Sequence, residues 1–93
     1  MRYEWNSEKN KLLKRQRGIS FEEVVICLSL GNLWKISDHP NPQKYPNQMI
    51  YFVVVGQYVC IVPCVQEEDY IFLKTIIPSR KATKDYQKEM ESQ

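Results

Sequence analysis

MIYFVVVGQYVCIVPCV, residues 49–65, is the stretch that decides the fold class. Nearly every residue in it is β-branched, aromatic or otherwise apolar, which suits a pleated sheet. Gly56-Gln57 divides the run, and glycine in first place fits a two-residue type II′ turn. The spacing predicts a hairpin of 49–55 and 58–65. Pro63 has no N–H to give to a ladder, so it argues for an edge strand or a bulge there. Downstream, QEEDY (66–70) turns the chain and YIFLKTII (70–77) reads as the last strand. Upstream, LWKI (33–36) reads as another strand. HPNPQKYPNQ (39–48) holds three prolines and two asparagines, which makes it a loop of restricted backbone freedom.

The N-terminal third is helical by the same kind of argument. RYEW (2–5) alternates polar and apolar, a short first strand. Asn6 or Ser7 can cap a helix running to about Arg17, with Gly18 to end it. That helix is polar, with Leu12 and Leu13 as its apolar anchors, so it belongs on the surface. In ISFEEVVICLSLG (19–31), Ser20 and Glu23 have capping-box spacing, and Ile19 and Val24 are placed as a hydrophobic staple. Phe21, Val24, Val25 and Leu28 then line one helical face, and Gly31 supplies the stop. After Pro78-Ser79 a final helix carries Ala82, Tyr86 and Met90 on one face. The expected order is β-α-α-β-β-β-β-α. This is an α+β domain: an antiparallel sheet, two N-terminal helices covering one face, and a C-terminal helix.

A chain of 93 residues has room for one modest core, so residues 1–93 read as a single domain. No apolar run reaches the ~20 residues of a membrane span, and MRYEW lacks the apolar stretch of a signal peptide. A cytoplasmic location without membrane contact is expected. The three cysteines agree with that. Cys60 and Cys64 on one strand lie roughly 13 Å apart, beyond disulfide reach. No Cys/His ligand spacing occurs, so the cysteines read as reduced core residues and no metal site is expected. P-loop, Rossmann, G-x-S-x-G and HExxH motifs are absent from the sequence, and no cofactor is expected.

The net charge of +2 says little, but its distribution says more. Lys9, Lys11, Lys14, Arg15 and Arg17 form one basic block. Arg80, Lys81, Lys84 and Lys88 form another, and Glu67, Glu68 and Asp69 form an acidic one. Arg80, Lys81 and Lys84 fall at a helix start, where the macrodipole disfavours cations unless an anion is held there. Lys74 interrupts an apolar strand on the face of Tyr70, Phe72 and Ile76. It either reaches water by its stem or aims a cation at phosphate. His39, the one histidine, opens the proline-rich loop and is the acid–base candidate. Lys44 and Tyr45 in that loop can contact phosphate and stack on a base. The loop is expected to face Arg80 and Lys81 across a shared site. Lys11, Lys14 and Arg15 have no acid–base neighbour and read as a partner-binding surface.

YEWNSEKNKLLKRQRGISFEE (3–23) and IIPSRKATKDYQKEM (76–90) resemble the opening and the ending of BrnT-type toxins. The resemblance departs in the middle, where many members carry a Glu-Arg pair and this chain has HPNPQKYPNQMIYF. It implies a RelE-like fold, RNA cleavage, arrest of translation, and a ribbon-helix-helix antitoxin through which alone DNA would be contacted. Arg80 and Lys81 are the positions that match the family motif. A metal-independent ribonuclease uses the RNA 2′-OH as nucleophile and needs cations on the phosphate, which Arg80, Lys81, Lys84 and Lys74 would supply. The alternative is a non-catalytic RNA- or partner-binding module within a repressor complex.

Overall fold

The structure is a computed structural model that describes residues 2–92. The elements run β1 (Arg2–Glu4), α1 (Ser7–Arg17), α2 (Phe21–Ser29), β2 (Leu33–Asp38), β3 (Gln48–Val55), β4 (Tyr58–Gln66), β5 (Tyr70–Leu73), β6 (Ile77–Pro78) and α3 (Arg80–Glu91). The sheet order is β1-β5-β4-β3-β2, with β6 also on β4. The class is α+β, and β2 to β5 form the expected meander.

The central hairpin follows its sequence. β3 and β4 pair from Gln48↔Val65 to Val55↔Tyr58. Gly56 takes φ 63°, and no non-glycine among the described residues has positive φ. Positive φ at the first turn position alone is type II′.

Two expectations about the sheet need correction. β1 runs parallel to β5, with Arg2 opposite Tyr70, so the sheet is mixed rather than antiparallel. A parallel neighbour needs a long crossover, and α1 with α2 carries the chain from the β1 edge to the β2 edge. The last strand is also split. Cys64 pairs with Leu73, and Ile61 pairs with Ile77. Two residues of β4 therefore face three of the other lane, which is a β-bulge. Pro63 lies there, in the central strand and not at an edge. Its carbonyl accepts the Lys74 N–H at 2.8 Å, and it has no N–H to return. The bulge breaks the alternation, so Lys74 is exposed while Ile76 is buried. Ile76 does not share the face of Lys74.

One face of the sheet is closed. Leu13 of α1, and Phe21 and Val24 of α2, pack with Tyr51, Val53, Cys60, Val62, Cys64, Ile71, Leu73 and Ile76. Burying each large apolar side chain of this kind contributes about 1.5–3 kcal/mol. Ile19 and Val24 are both buried, as a staple requires. The capping box forms by half. The Ser20 hydroxyl accepts the Glu23 N–H (3.2 Å), but it donates to the Glu23 carboxylate (3.4 Å) instead of leaving that group to take the Ser20 N–H.

α3 packs on the other face, at one end only. Thr83 accepts the Val59 N–H (2.9 Å) and donates to the Ser79 carbonyl (2.6 Å), which fixes the helix start to β4. Ser79 caps the helix by accepting the Ala82 N–H at 3.0 Å.

Candidate functional site: the open face of the sheet

The face not covered by α1 and α2 carries Phe52, Ile61, Val65 and Phe72 in adjacent lanes, all half-buried. Trp34 meets Phe52 edge-on at 5.9 Å between centroids and Tyr86 of α3 edge-on at 5.2 Å. The Lys35 ammonium lies 4.4 Å from the Trp34 centroid and 4.8 Å from that of Phe52. A bulge between Leu33 and Lys35 in β2 accompanies this arrangement. The result is an aromatic cluster with a cation on it, at the end of the sheet where α3 begins.

Arg80 and Lys81 open α3 at that same end and are exposed. Lys81 pairs with Asp85 at 2.9 Å, and its side chain remains 87% exposed. That hydrogen bond holds the Asp85 carboxyl below its ordinary value; partial desolvation opposes it, and the charges of Lys81, Lys88 and Lys35 add to it. Ala82 and Thr83 are the buried residues of the helix. Helical geometry places Lys84 and Lys88 away from them, toward solvent.

The proline-rich loop is not opposite Arg80. The Ser79 N–H donates to Val59, whereas the Asn47 carbonyl accepts from Gln66. Val59 and Gln66 are seven residues apart on β4, about 23 Å of strand. His39, Lys44 and Tyr45 therefore sit at the far end of the sheet from Arg80, and the shared site does not form. Within the loop the His39 Nδ1 accepts the Asn41 N–H (3.0 Å) and the ring packs on Tyr45 at 4.3 Å. Lys44 lies 5.4 Å from the Tyr45 centroid. Lys74 donates to Gln48 at 3.3 Å, nearer the loop than the start of α3.

Two hollows mark these two ends. One of about 590 Å³ is lined by Asp38, Asn47, Gln66, Glu67 and Glu68. Its three carboxylates repel phosphate, so its size does not make it an RNA site. The other, of about 270 Å³, is bounded by Gly31, Asn32, Val54, Gly56 and the rings of Trp34 and Tyr86. Among the described residues no group of three or more His, Cys, Asp or Glu is placed to hold a metal. No described helix is long and apolar enough to cross a membrane.

On α1, Lys11 pairs with Glu8 (3.6 Å) and Lys14 with Glu22 (3.7 Å). Among the described residues Arg15 makes no ion pair, so it is the freest charge of the three. Arg17 donates to the Ile76 carbonyl and ties α1 to the bulge. Asn10 is buried between the helices. Its amide oxygen accepts the Phe21 N–H (2.9 Å) and its NH₂ donates to Glu22 (2.7 Å). That amide bond holds the Glu22 carboxyl below its ordinary value. The three cysteines are free thiols, with Cys60 and Cys64 buried and Cys27 half-buried. Burial pushes the Cys60 thiol up to about 11 and that of Cys64 up to about 12.

Sequence reasoning missed the Trp34–Phe52–Tyr86 cluster. Its one visible sign was two aromatics on neighbouring strands beside a lysine. Comparisons with protein-family models, with curated proteins and with solved structures gave no match.

Proposed function

We propose that this chain is the toxin of a type II toxin–antitoxin system: a metal-independent endoribonuclease of the BrnT kind, with a RelE-like fold, that cleaves RNA and arrests translation. A DNA-binding antitoxin neutralises it. The observation that carries this reading is the open face, where aromatic rings and Lys35 lie against the middle of α3, the helix that opens with Arg80 and Lys81. Half-exposed rings and cations on one surface suit single-stranded RNA, whose bases stack while its phosphates are neutralised. The YEWNSEKN…GISFEE and IIPSRKAT motifs support the family assignment.

In this reading Arg80 offers a planar fork to the phosphate undergoing attack by the neighbouring 2′-OH. Lys81 and Lys84 add point charges, which stabilise the charge that develops. His39 is too far away to serve the same phosphate as acid or base. Lys44 and Tyr45, with Lys74 between the two ends, can contact only a more distant part of a bound strand. Arg15, with Lys11 and Lys14, offers the antitoxin an acidic-complementary surface.

The test is incubation of purified protein with RNA in EDTA. Cleavage is expected, and Arg80→Ala should abolish it in a folded protein, since losing one such donor costs about 3 kcal/mol at the transition state. Unchanged cleavage by Arg80→Ala would remove Arg80 from the site. The separation of His39 from Arg80 favours a second reading, a non-catalytic RNA- or partner-binding module. Binding without cleavage in the same assay would select it.

A further inference from the structure

We infer that the cavity between Trp34, Tyr86 and Asn32 is a subsite for one unstacked nucleobase of single-stranded RNA. The inference rests on the RNA-binding reading and adds a position to it. Four observations converge on this cavity. Its volume is about 270 Å³, its lining includes the aromatic residues Trp34 and Tyr86, and their rings are edge-to-face rather than stacked on each other. An edge-to-face pair leaves more ring face open than a stacked pair, and open ring face is what a base uses, even with Lys35 over part of Trp34. A β-carbon built on Gly31 or on Gly56 meets nothing within 4 Å, so neither turn crowds its rim.

The polar groups fit the same occupant. The Asn32 backbone is committed: its N–H donates to Cys27 (3.0 Å) and its carbonyl accepts from Val54 (2.9 Å). Its exposed side-chain amide makes no hydrogen bond among the described residues, which leaves a donor and an acceptor for a base edge. Lys35 lies on the Trp34 ring, and Arg80 opens the helix that carries Tyr86. A phosphate next to the bound base therefore finds the Lys35 ammonium, which is also within the field of Asp85. The larger, acidic hollow at the opposite end offers none of this. The sequence makes Trp34 a usable reporter, since the only other tryptophan is Trp5. Trp5 is stacked on Phe21 at 5.7 Å, on the closed face.

The test uses the full chain carrying Trp5→Phe, so that Trp34 alone fluoresces. The probe is a short single-stranded oligoribonucleotide whose 2′-oxygens are methylated, which prevents cleavage; an abasic strand of equal length serves as control. Saturable change of Trp34 emission is expected with the base-bearing strand and not with the abasic one. Trp34→Ala should weaken binding of the base-bearing strand roughly tenfold, the scale of one lost base–aromatic stack. Trp34→Phe should lose much less, and Asn32→Ala should change the preference among bases. If Trp34→Ala does not fold, Trp34→Phe and Asn32→Ala carry the test. Salt-dependent binding with unchanged Trp34 emission, and equal affinity in Asn32→Ala and Trp34→Phe for every base, would overturn the subsite and leave the RNA reading standing. No binding to the wild-type chain at low salt would overturn both.

Discussion

Tyr51 and Phe52 are neighbours on β3, yet Tyr51 is sealed under the N-terminal helices and Phe52 is left half-open on the other side. The contrast holds along the whole sheet. The strands are apolar on both faces, the pattern of a sheet meant to be covered twice. One face is covered by α1 and α2 and fastened by Asn10 and Arg17. The other has only α3, at one end. Apolar and aromatic surface that the chain itself leaves uncovered is surface on which something else can bind.

The largest effect should separate the faces directly. Phe21→Ala, on the closed face, is expected to cost about 3–5 kcal/mol. Phe52→Ala is expected to cost about 1 kcal/mol, the scale of cross-strand and aromatic pairing. Urea denaturation measures both, and equal losses would break the comparison. Next comes Asn10→Ala, which leaves the Phe21 N–H without its partner and should cost about 1–3 kcal/mol. Faster hydrogen exchange at the Phe21 amide would localise that loss.

A smaller effect sharpens the same joint. The folded Glu22 carboxyl titrates below its ordinary value of 4.5. Its contribution is therefore present above that pH and is lost as pH falls through the depressed folded value. Glu22→Gln should flatten the acid limb of the stability curve; an unchanged limb would detach Glu22 from the helix joint. The smallest effect is a null one on the closed side. A thiol reagent should label Cys27 in the native protein and reach Cys60 and Cys64 only on unfolding, because burial has raised their thiols to about 11 and about 12. Rapid native labelling of Cys64 would mean that the closed face opens.

What the sequence disclosed was local. Gly56 alone is enough to specify a type II′ turn, and Ser20, Ser79 and Asn6 cap the helices they precede. Pro63 announced an irregularity, but which lane would bulge depended on the partner strand. Asn10 and Arg17 looked like ordinary surface polar residues because their partners, Phe21 and Ile76, are brought to them only by folding. The aromatic cluster was hidden for the same reason: Trp34 and Tyr86 lie on β2 and α3, far apart in the sequence, and meet only on folding. Entry into a common sheet does not bring the His39 loop near Arg80. A sheet has two ends, and β4 holds them apart.

The parallel edge sets a timetable. Arg2 and Glu4 are made well before the strand they pair with, which spans residues 70–73. The ladder that closes the β1 edge cannot begin until nearly seventy further residues have been synthesised. During that interval the meander is still being laid down and the core under α1 lacks Ile71, Leu73 and Ile76. Long-range closure of this kind is slow and comes late. The sheet is therefore completed late, when its parallel edge pairs. Until then the growing chain has strands and helices but no closed core to hold them in register.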